Sequence, residues 1–390
     1  MPVLRLPLLP AAAGKQHWGN LPGAALSLAI AEAASAAKRF TLLLTADSQS
    51  AERLEQELSF FAPDLPVLHF PDWETLPYDL FSPHQDIISQ RIASLYRLPE
   101  LAHGVLVVPI TTALHRLAPT KFLLGSSLVL DVGQKLDVEQ MRTRLEASGY
   151  RCVDTVYEHG EFAVRGALID LFPMGSKLPY RIDLFDDEIE TLRTFDPENQ
   201  RSIDKVDSIK LLPAREFPLQ KDAVTRFKAR FRERFDVDFR RCPIFQDLSS
   251  GITPAGIEYY LPLFFDETST LFDYLPQDTQ VFSLPGIEQA AEQFWRYTGV
   301  RPTPEQVAAA LGAHRLDRVA ARAVGTHRGL RRTESDEVDT RLVGHLGPRH
   351  PDPPARVPEP ERVEAASGVP GLRVGRRGSM RTASSIRRSC

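Results

Sequence analysis

The stretch Glu158–Phe195, which reads EHGEFAVRGALIDLFPMGSKLPYRIDLFDDEIETLRTF, decides how the middle of this chain folds. Two runs within it, Ala163–Phe172 and Tyr180–Phe185, alternate apolar and polar residues in the manner of half-buried strands. The segment Pro173–Pro179, rich in residues that interrupt regular structure, separates the two runs. The pattern therefore predicts a long hairpin within a β-meander.

The predicted hairpin places three candidate binding residues together. If Phe172 lies opposite Tyr180, the alternation of strand side chains puts Arg165, Arg181 and Phe185 on one face of the sheet. Two guanidinium groups beside an aromatic ring are typical of a hot spot in a protein interface. The alternative interpretation is that Phe185 belongs to the core and that the arginines are ordinary solvated charges. Periodicity alone favours this second interpretation.

Length and composition indicate a reduced, intracellular protein of several domains. A chain of 390 residues is long enough for two or three domains, each with its own core. Prolines interrupt the apolar start MPVLRLPLLPAAAGK and no basic segment precedes it, so export is not expected. The cysteines, Cys152, Cys242 and Cys390, lie far apart and lack the paired spacing of zinc sites. We therefore expect a cytoplasmic location.

The composition changes abruptly near residue 300. The last ninety residues contain no aromatic residue and no lysine, but they carry 17 Arg against 10 Asp and Glu. They are therefore at +7, which leaves −11 for the first 300 residues, given the overall charge of −4. Such a composition cannot bury much apolar surface, so residues 298–390 are predicted to be disordered. They could be a basic arm for nucleic acid, but we favour the product of a shifted reading frame, and we assign them no function.

Continuous apolar strands near the start of the chain indicate a parallel sheet. The runs Phe40–Thr45, Val67–Phe70 and Gly104–Pro109 alternate with helical patterns, as they do in α/β domains whose sheet is covered on both faces. The strand-like run Val281–Leu284 indicates a return to such a layer. The predicted fold class is therefore α/β, with a small α+β unit inserted between the two parts.

No motif for nucleotide or metal chemistry is found. A phosphate-binding P-loop needs the pattern GxxxxGK followed by Ser or Thr. The Gly14-Lys15 pair is followed by Gln16, and Leu9 stands where the first glycine is required. The chain also lacks HExxH and GxSxG patterns and a helicase-type acidic box, so no catalytic residue, metal site or cofactor is predicted.

Three weaker features have structural explanations that we prefer. The acidic run Phe185–Glu188 could hold a cation, but three acids at a strand end usually form a solvated turn. His84 has no nucleophile partner, which favours a capping role. In the segment Val224–Phe235, phenylalanines recur every four residues among basic ones. This pattern predicts a packing helix with a basic exterior, and DNA contact there is left open.

Several long blocks resemble a known family. They are FPDWETLPYDLFSPHQDIISQR at Phe70–Arg91, EHGEFAVRGALIDLFPMGS at Glu158–Ser176, YRIDLFDDEIETLRTFDPENQRS at Tyr180–Ser202 and AGIEYYLPLFF at Ala255–Phe265. All closely resemble the amino-terminal region of the bacterial transcription-repair-coupling factors (Mfd), and the resemblance runs from Met1 to about Trp295. That region is itself similar to UvrB, the damage-recognition subunit of the excision nuclease.

The resemblance implies a division of the chain and a partner. It implies a UvrB-like α/β domain, with a degenerate P-loop NTPase-like fold, split into residues 1–125 and 213–297. An α+β domain at residues 126–212 would be inserted between the two parts. In the family the inserted domain docks on UvrA, and its contact residues fall on Arg165, Arg181 and Phe185. A carboxy-terminal domain of the family protein is thought to cover this surface until a conformational change exposes it.

The resemblance also implies what this chain should lack. The RNA-polymerase-binding domain and the DNA motor, with its ATP and magnesium, are expected beyond residue 400. We therefore expect a non-catalytic adaptor that binds UvrA, contacts DNA weakly or through UvrA, and reaches RNA polymerase only through the downstream domain. The alternative is a UvrB-like module that binds damaged DNA, although the charge of −11 over the first 300 residues opposes strong binding to a duplex. An enzyme that uses the acidic turn and His84 is a remote third hypothesis.

Overall fold

The computed structural model describes residues 18–19, 21–75, 81–235 and 237–298, all within one compact unit. The predictions for the amino-terminal segment 1–15 and for residues 299–390 fall outside this range. The helices are α1 Ala25–Ala37, α2 Ser48–Phe61, α3 Gln85–Arg97, α4 Ile110–Ala113, α5 Thr120–Gly125, α6 Val138–Ala147, α7 Lys221–Arg234, α8 Pro243–Ser249 and α9 Ile287–Thr298. The strands are β1 Phe40–Thr45, β2 Val67–His69, β3 Gly104–Pro109, β4 Leu128–Asp131, β5 Arg151–Cys152, β6 Glu161–Arg165, β7 Leu168–Leu171, β8 Tyr180–Phe185, β9 Glu188–Phe195, β10 Ser202–Val206, β11 Ser208–Leu211 and β12 Gln280–Ser283. In this part of the chain, no helix has the length and apolar character needed to cross a bilayer.

The parallel sheet predicted from the apolar runs is present. Its strand order is β12-β1-β3-β2, and every pair in it is parallel. All residues of β1 and β3 are buried, because alternate side chains enter two different cores. Leu42 and Leu44 point into the larger core, while Leu43 packs in a second core with the apolar residues of α1 and α2. Helices therefore cover this layer, as continuous apolar strands require.

The chain leaves this sheet after β3 and returns to it much later. Strand β12 pairs with β1 in parallel, with Leu42 opposite Val281 and Leu43 opposite Phe282. Between the two visits, residues 151–206 form a separate six-stranded sheet in the order β10-β9-β8-β7-β6-β5. Strands β4 and β11 pair with each other where the chain enters and leaves this region.

The structure corrects the predicted hairpin in the six-stranded sheet. The run Ala163–Phe172 is not one strand but two, β6 and β7, joined by a turn at Gly166 and Ala167. Gly166 has a φ of 64°. A two-residue hairpin turn requires such a positive φ at its first position, and glycine adopts it without strain. Sequence alternation missed the turn because the polar–apolar pattern continues across it.

The predicted register is also wrong by one residue. Tyr180 lies opposite Leu171, not Phe172, so Arg181 lies opposite Asp170. The missed turn at Gly166 and the one-residue error in register each reverse the face that is predicted for Arg165 relative to Arg181. Because there are two reversals, the predicted arrangement is the same as the observed one. Arg165 and Arg181 therefore share the outer face of the sheet, as the sequence analysis predicts.

Close contacts with α3 hold the six-stranded sheet against the parallel layer. The Asp86 carboxylate lies 2.7 Å from Nδ1 of His159, and the Ser89 hydroxyl accepts a hydrogen bond of 2.8 Å from the Gly175 backbone N–H. A Cβ atom on Gly175 would come within 2.9 Å of the Ala93 side chain. The approach of the two layers therefore requires glycine at this position.

A buried ion pair joins α3 to the segment that follows β11. Arg91 is fully buried, and its Nε lies 2.6 Å from Oε1 of Glu216, which is itself 3% exposed. The Arg91 guanidinium also donates to the Pro71 carbonyl and lies over the ring of Phe70, with 4.2 Å between Cζ and the ring centroid. Its charge and its donors are thus satisfied inside the core, as a buried cation requires.

His115 lies half-buried in an aromatic cluster close to this pair. Its ring centroid is 5.0 Å from that of Trp73 and 5.3 Å from that of Phe294. Burial lowers the pKa of His115 from 6.5 to about 4, because the charged imidazolium would lose its hydration.

Replacing Glu216 with Gln should lower the free energy of unfolding by about 3–5 kcal/mol, because it leaves the buried Arg91 charge without its partner. The matched change Glu146→Gln breaks an exposed i,i+4 pair with Arg142 and should cost about 0.5 kcal/mol or less. Urea denaturation of both variants measures the difference. Equal losses would show that the buried pair does not stabilise the fold.

Replacing His115 with Phe should make the protein less sensitive to acid. The unfolded chain takes up a proton at this histidine below pH 6.5, whereas the folded chain does so only near pH 4. The free energy of unfolding of the natural protein therefore falls by about 2 kcal/mol or more as the pH drops from 6.5 to 4, because the unfolded state is protonated first. The variant has no histidine at this position and does not show this loss. Urea denaturation of both proteins at pH 7 and pH 4.5 tests this. Parallel declines in stability would contradict it.

Candidate protein-binding face

The centre of the outer face of the six-stranded sheet is a buried carboxylate. Asp170 on β7 has no solvent-exposed side-chain surface. Both arginines predicted as site residues bind it: Arg165 from β6 and Arg181 from β8. We call these three residues, together with Phe185, the arginine face. Strand pairing explains the contacts, because Arg181 lies directly opposite Asp170 and Arg165 lies opposite Leu168, two residues away on the same side of β7.

Arg181 is bound inside the sheet surface rather than extended into solvent. Its Nε lies 2.7 Å from Oδ1 of Asp170, its Nη2 lies 3.0 Å from Oδ2, and its Nη1 donates to the Gln200 carbonyl at 3.2 Å. The guanidinium also lies over the ring of Phe195, with 4.8 Å between Cζ and the centroid. The Asp170 hydrogen bonds raise the pKa of Arg181 further above its usual value. Its side chain is only 16% exposed, so the structure does not support an ordinary solvated charge here.

Arg165 and Phe185 are the accessible members of the arginine face. The Arg165 side chain is 47% exposed although it contacts Asp170, and Phe185 is 68% exposed. The alternative that Phe185 belongs to the core is therefore wrong. The two residues end β6 and β8, which lie on either side of β7. Because β6 and β8 are both antiparallel to β7, they run in the same direction, and their last residues lie at the same end of the sheet. The two strands are about 10 Å apart at the usual strand spacing.

The turn that carries Phe185 is fixed by its surroundings. Phe185 pairs with Glu188 across the turn Asp186–Asp187, and the backbone N–H of Leu136 donates to the Asp187 carbonyl at 2.7 Å. Lys135 binds the Asp187 carboxylate at 2.9 Å and lowers the pKa of that group. An exposed ring at a rigid position loses little conformational freedom when a partner binds it.

A second set of polar residues extends the face onto β9, and sequence reasoning missed it. Asp183 accepts one hydrogen bond of 2.7 Å from the Thr191 hydroxyl and lies 2.9 Å from Nη2 of Arg193. Asp170 was also missed, although one signal was available. A carboxylate within the apolar run ALIDLF must be exposed or paired, and two arginines at strand positions nearby supply the pairs.

The other sequence candidates have structural roles. His84 is the N-cap of α3, where its Nδ1 accepts a hydrogen bond from the Asp86 backbone N–H at 3.3 Å, as a capping role predicts. Asp186 and Asp187 form the predicted solvated turn. In the predicted packing helix, α7, Phe227 and Phe231 are buried. No group of three or more His, Cys, Asp or Glu suited to a metal ion occurs in the described ranges.

The arginine face is suited to binding rather than to catalysis. It offers a partly exposed guanidinium for a carboxylate and an exposed ring for an apolar pocket. Its one carboxylate, Asp170, is buried and bound by both arginines, so it is not accessible to a substrate. The geometry is that of a small, preorganised protein-binding surface.

The six-stranded sheet lies within a known family of domains. The model of the family described as "UvrB interaction domain" matches residues 128–217, which include the whole six-stranded sheet and β4 and β11. The transcription-repair-coupling factor of Escherichia coli (strain K12) is 49% identical over 288 residues, which are 73% of this chain and 25% of that protein. The factor of Haemophilus influenzae is 47% identical over 280 residues, 71% and 24% of the two chains, and that of Bacillus subtilis is 28% identical over 283 residues, 68% and 24%.

These matches lie in the amino-terminal part of the chain, and they confirm the resemblance on which the sequence analysis relied. The chain spans about a quarter of the length of the curated relatives it matches. In its amino-terminal part, this chain therefore belongs to the transcription-repair-coupling factor family and contains the family's UvrB interaction domain.

Proposed function

We propose that this chain is a non-catalytic adaptor of transcription-coupled nucleotide-excision repair, which recruits UvrA to sites of stalled RNA polymerase. One observation carries the proposal. Within the matched UvrB interaction domain, Arg165 and Phe185 stand exposed at one rigid end of the sheet. Such a pair fits an acidic, pocketed protein surface, and UvrA is the partner that the domain's family implies.

The residues of the arginine face have two different roles in the proposed binding, namely contact with UvrA and positioning of the contact residues. Arg165 and Phe185 contact UvrA directly, since both are accessible. Arg181 acts mainly by holding Asp170, because its three guanidinium nitrogens already have acceptors within the domain. Asp170 in turn orients Arg165 toward the partner.

The proposed context follows from the relatives. Their printed name, transcription-repair-coupling factor, links repair to transcription. RNA polymerase binding, ATP-driven movement on DNA, and the domain that covers the UvrA-binding surface would belong to regions of the family protein beyond this sequence. The proposed location is the cytoplasm, where these repair proteins meet DNA in bacteria.

We also propose that the parallel-sheet layer is a UvrB-like domain, split by the insertion, that has lost nucleotide binding. The pairing of β12 with β1 supports a split domain, since strands on either side of the insertion complete one sheet. At the start of α1, Gly19 and the dipeptide Ala24-Ala25 keep the spacing of GxxxxGK, with alanine in place of the second glycine and of the lysine. Without that lysine and the hydroxyl that follows it, the loop lacks its phosphate and magnesium contacts.

Replacing Arg165 or Phe185 with Ala should weaken UvrA binding by about 2 kcal/mol, or roughly 30-fold, because hot-spot residues of these types have such effects. The exposed residues Arg53 and Phe60 of α2 provide matched controls, and Arg53→Ala and Phe60→Ala should bind normally. Biolayer interferometry with purified UvrA measures the affinities. Unchanged binding by the Arg165→Ala, Phe185→Ala double variant would refute the proposal.

The chain should release no phosphate from ATP above background, with or without DNA, because no residue set for phosphate binding remains at α1. A malachite-green assay with Mg²⁺ and ATP tests this, with a P-loop ATPase as the positive control. Turnover that persists through further purification would contradict the non-catalytic role.

A further inference from the structure

We propose that the basic edge formed by α7 and the 3-10 turn Phe239–Arg241 binds the phosphate backbone of duplex DNA. Residues 221–241 carry eight Lys and Arg against four Asp and Glu. Their net charge of +4 contrasts with −11 for the first 300 residues as a whole. Positive charge is thus concentrated in one short segment of an acidic module.

The packing of α7 points this charge outward. Phe227 and Phe231 are buried and hold one side of the helix against the core. Lys221, Lys228 and Arg232 follow each other at spacings of seven and four residues, so they form one row along the helix. The row spans about 16 Å at the usual helical rise. Arg232 then meets the 3-10 turn, because its guanidinium lies over the Phe239 ring at 5.0 Å and the Phe245 ring at 5.1 Å.

The basic residues of this segment fall into two groups. Arg226 and Arg230 serve the fold, since they bind the Phe264 and Phe265 carbonyls and the Asp266 carboxylate. Among the described residues, no carboxylate forms an ion pair with Lys228, Arg232, Arg240 or Arg241, the last three of which are exposed. We call Lys228, Arg232, Arg240 and Arg241 the basic edge. Its charges are available to an external anion.

The phosphate backbone of DNA is a better match for the basic edge than a partner protein is. No large apolar side chain is exposed within the described residues of 221–241, whereas protein interfaces depend on apolar or aromatic anchors. A row of cations without an anchor gains affinity by releasing the counterions condensed on a nucleic acid. Such binding is independent of base sequence and sensitive to salt, and the net charge of the whole module limits its strength.

This inference is independent of the arginine face, which lies on the six-stranded sheet and is tested with a different partner. The test variant is Lys228→Gln, Arg240→Gln, Arg241→Gln, which removes three charges that have no ion pair in the described structure. The control is Lys38→Gln, Arg53→Gln, Arg97→Gln, which removes one exposed lysine and two exposed arginines elsewhere. Both variants keep residues 299–390, so any contribution from the arginines there is the same.

Fluorescence anisotropy with a labelled 30-base-pair duplex, titrated at several salt concentrations, measures the affinity. The natural chain and the control variant should bind alike within about twofold. The basic-edge variant should bind at least tenfold more weakly at low salt, and its log–log slope against salt should be smaller by about 2–3. Circular dichroism confirms that both variants are folded.

Three results would overturn the proposal: no binding by the natural chain, equal losses in the two variants, or a basic-edge variant that keeps its affinity and salt slope. If UvrA binding failed while these DNA results held, only the arginine-face proposal would be affected.

Discussion

The arginine face depends on one electrostatic constraint, the burial of the Asp170 carboxylate. A carboxylate removed from water must be compensated, and here two guanidinium groups from the neighbouring strands do so. Because the carboxylate sits between them, like charges that would repel one another stand side by side on β6 and β8. The same interaction gives the arginines different roles. Arg181 is largely buried against Asp170, whereas about half of the Arg165 side-chain surface remains in solvent.

The two sheets bury their apolar surface in different ways, and this difference explains where binding surfaces can exist. Strands β1 and β3 are apolar on both faces and lie beneath helices, so they have no surface to offer. The six-stranded sheet buries one face in the main core, with Ile169, Ile182 and Leu192. Its outer face carries the paired charges beside a small buried cluster of Val156, Ala163, Phe172 and Phe195. Close packing on α3 at Gly175 fixes the orientation of that outer face.

The sequence predicted the elements with strong periodicity best. Strands β1 and β3 occur with the predicted bounds, because a continuous apolar run is a local signal. The turn at Gly166 and the register of β7 with β8 were not predictable in this way, since alternation continues through the turn and pairing is set by long-range packing. Asp170 could have been found from its apolar neighbours, but the burial of Arg181 depends on Phe195 and Gln200, which approach only in the folded sheet.

The late pairing of β12 with β1 has a consequence for synthesis. Until residue 280 has emerged, β1 has β3 on one side and no neighbour on the other. Its sequence, FTLLLT, is uncharged and entirely apolar or threonine, and an open edge of that kind can pair with other chains. A growing or shortened chain that ends before β12 is therefore prone to aggregate. Strand β12, which follows the insertion, covers the open edge of β1 in the parallel sheet.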